Sequence, residues 1–393
     1  MRRLLLALLA STAAPFAAPA AGPRSAATRR PAGRPSPSGG GASPLKLLEL
    51  FGGGPLPSLQ PVVVGTAKAA AAAAWGLAVS ELAPQDADGA YARPVAAFSS
   101  PPGRSPALPL VLYVGNACPW CHRALLVRAA RRLPSTYLKV VELVADPTKA
   151  SRGGWIVDTA NSPDPLFGAK DLREVYDGLE PGYVGRCTAP LLAAADGTPV
   201  SNESDDIMRL LNQPAVAGYG DGRDVDLRPA ALDAEIEKWA ETLYEGLNNG
   251  VYRCGFATSQ KAYDAAAAGV IQTLDVVEGR LSESRFLCGD RITDADLRLH
   301  PTVSRYDACY AGIFKCGFRR VGDFPNTAAW LRDMDEIFAA GTVDVDAAAA
   351  SYYDTLFPLN PSGIVPTPPL RAPAAQEGAG RGPQDPEAVF WWR

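Results

Sequence analysis

Residues 108–133, LPLVLYVGNACPWCHRALLVRAARRL, decide the fold of this 393-residue chain. The run Leu108–Val114 is short and apolar, as expected of a strand that is buried in a sheet. From Trp120 to Leu133 the apolar residues recur at helical spacing, and Pro134 ends the pattern. The stretch therefore predicts a buried strand that leads directly into a helix, with a Cys-x-x-Cys pair at the connection.

The two cysteines of this connection, Cys118 and Cys121, stand at the predicted start of the helix. A thiol there faces unpaired backbone N–H groups and the positive end of the helix dipole, which favour the thiolate. His122 and Arg123 add positive character if they point toward it. A zinc knuckle would need a second Cys-x-x-Cys pair, which the sequence lacks, so the pattern predicts a redox thiol rather than a metal site. The other cysteines have no such setting and are predicted to be buried structural thiols: Cys187, Cys254, Cys288, Cys309 and Cys316.

The secondary-structure pattern after this stretch changes along the chain, from alternating strands and helices to helices alone. After the first helix come strand patterns at 138–143, 188–193 and 197–200 and a helix at 203–211, an order typical of a compact α/β unit. From Leu232 onward long helical patterns dominate. We therefore predict an α/β domain followed by an all-helical domain, with a further helix at 59–82 in an N-terminal extension. The predicted helices of the second domain span 232–248, 259–281, 293–306 and 327–338.

One short segment of the helical half indicates structure rather than catalysis. Thr293-Asp294-Ala295-Asp296 fits an N-terminal capping box with Asp at its fourth position, which would fix the start of a buried helix. Arg298 and His300 follow within that helix and are predicted to stabilise the fold.

Charge separates the N-terminus from the rest of the chain. Residues 1–48 contain seven basic residues and no acidic one, so without them the net charge of −4 becomes −11. A body this acidic argues against non-specific nucleic-acid binding. No apolar run reaches about 18 residues, so a membrane-spanning helix is not expected.

The first residues have the features of a targeting address. Arg2 and Arg3 precede the apolar run Leu4–Leu9, as in a secretory signal peptide, and Arg24–Arg34 is basic, hydroxylated and free of acid, as in a transit peptide. This order resembles the bipartite plastid addresses of algae with secondary plastids. We expect a plastid location, with the secretory pathway and the mitochondrion as alternatives.

Several segments together resemble a known family. Cys118-Pro-Trp-Cys-His-Arg, then Thr188-Ala-Pro, then Ser201-Asn-Glu-Ser follow the order found in cytosolic-type glutathione S-transferases. The chain is more similar still to the Xi class, the glutathionyl-hydroquinone reductases, and to their plastid-type relatives. Asn248-Asn-Gly-Val-Tyr-Arg and Asn360-Pro-Ser-Gly-Ile-Val-Pro extend the match, which runs from about residue 83 to 368.

The resemblance implies a glutathione S-transferase fold, which is an α/β thioredoxin-like domain followed by an all-α domain. It also implies glutathione as co-substrate without metal or nucleotide, and a homodimer. The predicted organisation is a presequence at 1–48, an extension at 49–105, a thioredoxin-like glutathione-binding domain at 106–212, a linker at 213–228, an all-helical domain at 229–345, a segment closing the acceptor site at 346–369 and a disordered tail at 370–393.

The resemblance also assigns roles to individual residues. Cys118 matches the catalytic cysteine, which attacks the sulfur of a glutathionyl-hydroquinone, and Tyr252 with one of Tyr352 and Tyr353 would contact the aromatic acceptor. The two neighbouring tyrosines cannot be separated by sequence, and we favour Tyr353. Pro190 matches a cis-proline. The residues expected to bind glutathione are Trp155, Arg186, Ala189, Pro190, Glu203 and Ser204.

Cys121 departs from the family pattern, because many members carry a small residue there. The extra thiol could attack a Cys118–glutathione disulfide and release glutathione, or it could be a buried spectator. Three functions follow: a glutathionyl-hydroquinone reductase, which we favour; a general thiol-disulfide oxidoreductase or dehydroascorbate reductase that uses Cys118 and Cys121; and a non-catalytic glutathione or ligand carrier.

Overall fold

A computed structural model of the chain describes residues 59–99, 109–214, 224–338, 342–356, 359–367 and 388–392. The pattern of contacts between residues separates the chain into two units, with the division between Ala67 and Lys68. Helix α1 spans Leu59–Leu82, as predicted, and crosses this division. Apart from the first residues of helix α1, all features described below belong to the second unit. The predicted presequence at 1–48 lies outside the described residues.

The first half of the unit is built on a mixed sheet of five strands. The strands are β1 Leu110–Gly115, β2 Leu138–Ala145, β3 Trp155–Val157, β4 Leu191–Ala194 and β5 Pro199–Ser201. Their order across the sheet is β3-β2-β1-β4-β5. Strand β1 pairs in parallel with β2, whereas β4 is antiparallel to β1 and to β5, and β3 is antiparallel to β2. This is the α/β thioredoxin-like arrangement that the sequence predicts.

Helices cover both faces of the sheet because β1 is apolar throughout. Leu110 and Leu112 lie in the core that contains residues of α2 (Pro119–Ala130) and α4 (Ser204–Leu211). Successive strand residues point to opposite faces. Val111 and Tyr113 accordingly enter a second core with residues of α3 (Leu172–Leu179).

The second half is helical. Its helices are α5 Asp233–Leu243, α6 Gly250–Phe256, α7 Gln260–Glu283, α8 Asp294–Arg305, α9 Pro325–Phe338 and α10 Val345–Thr355. The helix predicted over 232–248 is interrupted, because its last part, Tyr244–Asn248, is a π-helical turn. A second π-helical turn, Tyr306–Tyr310, follows α8. Such turns are frequent at functional sites, and both lead toward the site described below.

The capping box predicted at the start of α8 is confirmed. The Asp296 carboxylate accepts hydrogen bonds from the Thr293 backbone N–H at 3.0 Å and from its hydroxyl at 3.2 Å. Arg298 is buried and forms ion pairs with Asp294 and Asp205, while His300 Nε2 lies 2.9 Å from a carboxylate oxygen of Asp335. These contacts support the structural roles predicted for Arg298 and His300.

The prediction of a disordered tail at 370–393 is wrong for residues 388–392. Val389 and Phe390 are buried, and the Val389 carbonyl accepts a hydrogen bond from the Ile292 N–H at 2.8 Å. The Trp391 carbonyl accepts from the Asp226 N–H, also at 2.8 Å. The final Val-Phe-Trp-Trp run buries enough apolar surface to offset the entropy lost when it is ordered. The Pro-, Gly- and Ala-rich composition of the tail as a whole does not show this short apolar run.

Among the residues that the structure describes, no helix has both the length and the apolar character needed to cross a membrane.

Candidate active site

Cys118 is the N-cap residue of α2, directly before Pro119. Its φ and ψ angles of −79° and 116° are extended, so the helix begins after it, as the Cys-Pro pair predicts. The thiol Sγ lies 3.4 Å from the carbonyl oxygen of Ala189, two residues before β4. Cys118 is buried, with 9% of its surface exposed, and it lies behind the cavity residues Trp120 and Ala189 without lining the cavity itself.

The environment of Cys118 favours the thiolate. Burial by itself would raise the pKa of this thiol. Hydrogen bonds from the Cys121 thiol and from the backbone N–H groups of Cys121 and Trp120, together with the charge of Arg305, outweigh burial and lower the pKa from 9.0 to about 7. The helix-end thiolate predicted from the sequence therefore has a physical basis in this structure.

Cys121 has the opposite role within the pair. It is fully buried, and burial and the neighbouring Cys118 raise its pKa well above the usual value. Cys121 Sγ also accepts a hydrogen bond from the Gly115 N–H at 3.4 Å. At neutral pH Cys121 is therefore a thiol that donates to the Cys118 thiolate. The remaining five cysteines are reduced and buried, as predicted: Cys187, Cys254, Cys288, Cys309 and Cys316.

The expectation that His122 and Arg123 supply positive charge to Cys118 is wrong. Burial, Arg305 and His300 lower the pKa of His122 well below its usual value, so its imidazole is neutral. Arg123 turns to the other side and donates to Asn248 Oδ1 at 2.6 Å. The positive charge comes instead from Arg305, 182 residues farther along the chain than Arg123, which no local pattern could identify.

A cavity of about 420 Å³ opens beside the start of α2. Three parts of the chain form its walls: the extension, the thioredoxin-like domain, and the first residues of the helical domain at Asn249 and Tyr252. The thioredoxin-like domain contributes Trp120, Tyr183, Val184, Gly185, Arg186, Thr188, Ala189, Asn202 and Glu203.

The Ala189–Pro190 segment has the geometry that the resemblance implies. The peptide bond between these residues is cis, as predicted. Ala189 lines the cavity, and within the described residues its backbone N–H donates no hydrogen bond. An unpaired peptide group at a strand edge can bind an extended peptide such as glutathione by backbone pairing.

Glu203 and Ser204 stand at the start of α4, where the resemblance places the γ-glutamyl end of glutathione. Glu203 is the N-cap residue and lines the cavity. Ser204 is fully buried; its hydroxyl donates to Glu203 at 3.3 Å and receives a hydrogen bond from Arg123 at 3.4 Å. A helix N-terminus offers N–H groups to a carboxylate. Glu203 is thus directly available to a ligand, and Ser204 lies behind it.

Trp155 and Arg186 occupy different positions. Arg186 lines the cavity, as expected of a residue that binds a glutathione carboxylate. Trp155 lies on edge strand β3, and its ring packs so closely on Gly115 that a Cβ atom there would be 2.1 Å from the ring. Trp155 does not line this cavity but supports the turn that precedes Cys118.

The structure brings Tyr352 against Tyr252, whereas the sequence analysis favoured Tyr353, and neither member of the pair lines the cavity. The hydroxyl oxygens of Tyr252 and Tyr352 are 2.5 Å apart, and that of Tyr310 is 3.5 Å from Tyr352. The Tyr353 hydroxyl points away, toward Gly312, where it would be 2.1 Å from an added Cβ. Burial raises the pKa of Tyr252, Tyr310 and Tyr352, so all three remain protonated donors at neutral pH. Tyr310 was not singled out by the sequence.

The extension takes part in the site, which the sequence did not reveal. Residues 88–99, here called the strap, are tied to both domains. At one end the Gly89 carbonyl accepts from the Thr258 N–H at 2.9 Å. At the other end Phe98 and Asn202 exchange two hydrogen bonds, of 2.9 and 3.0 Å. Between these anchors the strap lines the cavity with Tyr91, Arg93, Pro94, Val95, Ala96 and Ala97.

The groups around the cavity fit glutathione and an aromatic acceptor. Arg186 can bind a carboxylate, Glu203 an ammonium, and the Ala189 peptide group the tripeptide backbone. Trp120 and Tyr252 provide apolar surface, with ring centroids 6.3 Å apart, and the Arg93 guanidinium lies 3.8 Å above the Trp120 ring. In the described ranges, no group of three or more His, Cys, Asp or Glu side chains could hold a metal ion.

Comparison with known proteins gives consistent matches for both halves. Residues 117–213 match the glutathione S-transferase N-terminal domain, and residues 260–333 match the glutathione S-transferase C-terminal domain. The chain is 38% identical over 280 residues to glutathionyl-hydroquinone reductase PcpF of Sphingobium chlorophenolicum, covering 70% of this chain and 86% of PcpF. It is 37% identical over 259 residues to glutathionyl-hydroquinone reductase YqjG of Escherichia coli K12, covering 65% and 77% of the two chains.

Solved structures show the same likeness. Glutathione-bound YqjG from Escherichia coli K-12 superposes with a TM-score of 0.63 at 34% identity and covers 76% of this chain and 94% of its own. The Xi glutathione transferase ECM4 from Saccharomyces cerevisiae gives a TM-score of 0.65 at 29% identity, with coverage of 72% and 97%.

A thioredoxin-like domain with a helix-capping cysteine next to a cis-proline, followed by a helical domain, defines a glutathione-dependent enzyme of the cysteine type. The chain belongs to the glutathione S-transferase superfamily and, within it, to the Xi class that includes the glutathionyl-hydroquinone reductases. Both the fold and the resemblance expected from the sequence are confirmed.

Proposed function

We propose that the protein is a glutathionyl-hydroquinone reductase that removes glutathione from aromatic conjugates. The observation that carries this proposal is the position of Cys118. Its thiol, with a pKa lowered to about 7, lies 3.4 Å from the carbonyl of Ala189, and Ala189, Trp120 and Tyr252 line the cavity in front of it, although Cys118 itself is not a lining residue. The relatives PcpF and YqjG are named for this activity.

The proposed reaction has two exchange steps. The Cys118 thiolate attacks the sulfur of the conjugate, an S–S bond forms, and the bond between sulfur and the aromatic carbon breaks. The electron pair of that bond stays with the hydroquinone, whose carbon takes up a proton. The thiolate of a second glutathione then attacks the Cys118–glutathione disulfide, giving glutathione disulfide and restoring the Cys118 thiolate. The conjugate is reduced, and two glutathione sulfurs are oxidised.

The tyrosines supply the acceptor side of this chemistry. Because Tyr252, Tyr310 and Tyr352 stay protonated, they can donate hydrogen bonds to a hydroquinone oxygen as negative charge develops on it. The rings of Tyr252 and Trp120, which line the cavity, bind the aromatic ring of the acceptor. Tyr252 links these two roles, since it contacts Tyr352 and faces Cys118.

Turnover of a synthetic glutathionyl-hydroquinone, with glutathione as sole reductant, tests the proposal. Cys118→Ala is expected to abolish release of hydroquinone, because it removes the nucleophile. Cys288→Ala is the matched control, since Cys288 is another buried cysteine in the helical domain without a helix-end setting. Measurable turnover by Cys118→Ala would exclude the mechanism.

A second candidate function, general thiol-disulfide exchange, is favoured by the hydrogen bond between Cys121 and Cys118. In this route Cys121 attacks the Cys118–glutathione disulfide, releases glutathione and leaves a Cys118–Cys121 disulfide, which two further glutathione molecules reduce as they become glutathione disulfide. Dehydroascorbate and a small disulfide are the diagnostic substrates. Cys121→Ala should lower their turnover at every pH, whereas turnover of the hydroquinone conjugate should fall only near neutral pH, where loss of the Cys121 hydrogen bond lowers the Cys118 thiolate fraction. Greater wild-type turnover of these substrates than of the conjugate would favour this function over the first.

The third function considered, a ligand carrier, needs no reactive thiol, and the lowered pKa of Cys118 speaks against it. Titration of the thiol in solution decides the point. An ordinary thiol pKa would favour the carrier.

We further propose that the protein is imported into a plastid and forms a homodimer. The basic, acid-free segment 1–48 supports import, and membership of the superfamily supports the dimer. Fusing residues 1–48 to a fluorescent reporter tests the first point, and reporter secretion or mitochondrial import would overturn it. Light scattering of the protein lacking this segment tests the second, and a mass of one chain would overturn it.

A further inference from the structure

Arg305 is a fully buried arginine at the end of α8, and its contacts point toward the Cys118 loop. One terminal nitrogen, Nη1, lies 3.0 Å from His122 Nδ1 and donates to the Pro301 carbonyl at 3.1 Å. The other, Nη2, donates to the carbonyl of Asn116 at 2.8 Å. Arg305 Nε has no hydrogen-bond partner within the described structure.

The charge of Arg305 has no carboxylate partner among the described residues, which is unusual for a buried cation. Arg298, also buried, forms ion pairs with Asp294 and Asp205, and Arg131 pairs with Asp224. Burying an ion without a counter-charge costs several kcal/mol. The charge of such a residue needs another source of compensation, and Arg305 contacts, through the Asn116 carbonyl, the turn that leads to Cys118.

His122 cannot share this charge, because it serves Arg305 as an acceptor. The pKa of His122 is well below its usual value because of burial, Arg305 and His300. Its Nδ1 is therefore unprotonated and accepts from Arg305, which leaves the guanidinium as the cation on this side of α2.

Arg305 also fixes the backbone that leads to Cys118. Its bond to the Asn116 carbonyl holds the turn between β1 and α2, two residues before the thiol. The Asn116 side chain is held as well, since it exchanges hydrogen bonds of 2.8 and 2.9 Å with the backbone of Asp344. Two parts of the helical domain, Arg305 and Asp344, thus form hydrogen bonds to the turn. Within the turn, the Cys118 N–H donates to the Gly115 carbonyl at 3.0 Å.

We propose that Arg305 is a positioning residue for the nucleophile: its buried, otherwise unpaired charge stabilises the Cys118 thiolate, and its hydrogen bonds hold the turn that carries it. Arg305 thereby makes the reactivity of a cysteine in the thioredoxin-like domain depend on the docking of the helical domain. Other groups that face Cys118 include Cys121 and Tyr252, and both are neutral at pH 7. The inference rests on the proposed function in taking Cys118 as the nucleophile.

Alkylation of Cys118 by iodoacetamide across pH 5 to 10, quantified by tandem mass spectrometry on the full chain, tests this proposal. Arg305→Gln keeps a donor for the Asn116 carbonyl and removes the charge. We expect its alkylation midpoint to rise by about one pH unit, so that the rate at pH 6.5 falls about tenfold while the rate at pH 9.5 stays within about twofold. A profile that superposes on that of the wild type would overturn the proposal.

Arg131→Gln is the matched control. Arg131 is a buried arginine at the other end of α2, and it also donates to two carbonyls, those of Leu211 and Gln213, at 2.7 and 2.9 Å. Its loss should lower the melting temperature without moving the alkylation midpoint. If Arg131→Gln shifted the alkylation midpoint equally, general destabilisation of the fold would explain the shift in Arg305→Gln, and the proposal would be overturned.

Cys309→Asp keeps the test available if Arg305→Gln does not fold. Cys309 is buried and lies four residues after Arg305. Burial raises the pKa of Cys309 to about 12, although the nearby charge of Arg305 lowers it in part. A carboxylate of nearly equal volume there would pair with Arg305 and leave its hydrogen bonds in place. The Cys118 midpoint should rise in Cys309→Asp and stay unchanged in Cys309→Ser; an unchanged midpoint in the aspartate variant would refute the proposal.

These measurements use neither glutathione nor a conjugate. Failure of the proposed function would show as absent hydroquinone release by the wild type, whatever the alkylation profile. Failure of the Arg305 inference would show as an unshifted profile in an enzyme that still turns over its conjugate.

Discussion

The hydroxyl oxygens of Tyr252 and Tyr352 lie 2.5 Å apart, although 100 residues separate the two tyrosines along the chain. Tyr252 belongs to α6, and Tyr352 belongs to α10, which follows the rest of the helical domain. Their contact joins α10 to Tyr252, which lines the cavity together with Trp120, whose ring centroid is 6.3 Å from that of Tyr252. The contact supports the prediction that residues 346–369 close the acceptor site, which stays a prediction.

Replacing Tyr352 by Phe should lower kcat for a glutathionyl-hydroquinone by about 10- to 100-fold, because a donor to the developing phenolate is lost while the ring remains. Tyr353→Phe is the matched control and should stay within about twofold of the wild type, since its hydroxyl points toward Gly312 instead of Tyr252. Steady-state kcat and KM of both variants check this. A larger loss in Tyr353→Phe would show that the two tyrosines exchange places in the working enzyme.

This pair shows where sequence reasoning stops. The resemblance pointed to residues 352 and 353, but the rotation of α10 about its own axis decides which of the two contacts Tyr252. That rotation depends on long-range packing, such as that of Tyr352 against Tyr310 and Phe314, with ring centroids 5.7 and 5.9 Å apart. Two adjacent tyrosines on a helix differ by about 100° in direction, so a preference based on sequence had no physical support.

Activity and thiol reactivity should both depend on pH through Cys118. Its pKa is lowered from 9.0 to about 7, so the thiolate fraction is half at pH 7 and falls tenfold for each unit below about pH 6. Alkylation rate and kcat/KM should therefore rise between pH 5 and 7 and level off above pH 8. Stopped-flow alkylation over this range measures the midpoint, with free cysteine as reference. A midpoint near 9 would contradict the hydrogen-bonded thiolate.

The local part of this site could be predicted, and the distant part could not. Cys118 before Pro119 at the end of an apolar strand is a local pattern, and the structure has the helix start there. Arg305 and the strap contact residues that are distant in sequence. Contacts such as that of Arg305 with Asn116 form only when the two domains pack together, so local sequence patterns do not predict them. The charge contribution expected of His122 and Arg123 was wrong because neighbouring residues on a helix point in different directions, so adjacency to Cys121 does not place a side chain near the Cys118 thiol.

Short elements were missed for a different reason. Strand β3 has three residues and is partly exposed, so it shows neither an apolar run nor clear alternation. Helix α6 has seven residues and follows a π-helical turn, which breaks the periodicity that would reveal it. The strap contains no regular element between its anchors, and its role depends on the partners at its ends.

Asp296→Ala should lower the free energy of unfolding by about 3–5 kcal/mol, because its buried carboxylate satisfies donors that have no substitute. It accepts from the backbone N–H groups of Leu287 and Thr293, each at 3.0 Å, and from Trp330 Nε1 at 3.1 Å. Urea denaturation measures the change. Asp290→Ala, which truncates an exposed aspartate six residues earlier, should shift the value by less than about 0.5 kcal/mol. Equal stabilities of the two variants would refute a structural role for the capping box.

Phe390→Ala should also destabilise the fold, although the residue lies only three positions before the last one. Phe390 is buried, and its ring centroid is 6.2 Å from that of Phe338 at the end of α9. Truncating a buried phenylalanine costs about 3–5 kcal/mol in a full core, and about 2–3 kcal/mol is expected here because the segment is short and at the surface.

Trp392→Ala is the control for this substitution. Trp392 is 41% exposed, so removing its larger ring should cost less than removing that of Phe390. Urea denaturation of the two variants ranks the effects, and turnover of the conjugate should stay near the wild-type value in both, because neither ring lines the cavity. If Phe390→Ala proved as stable as the wild type, the last residues would be a surface appendage, and the bond from Ile292 to Val389 would not hold them against the helical core.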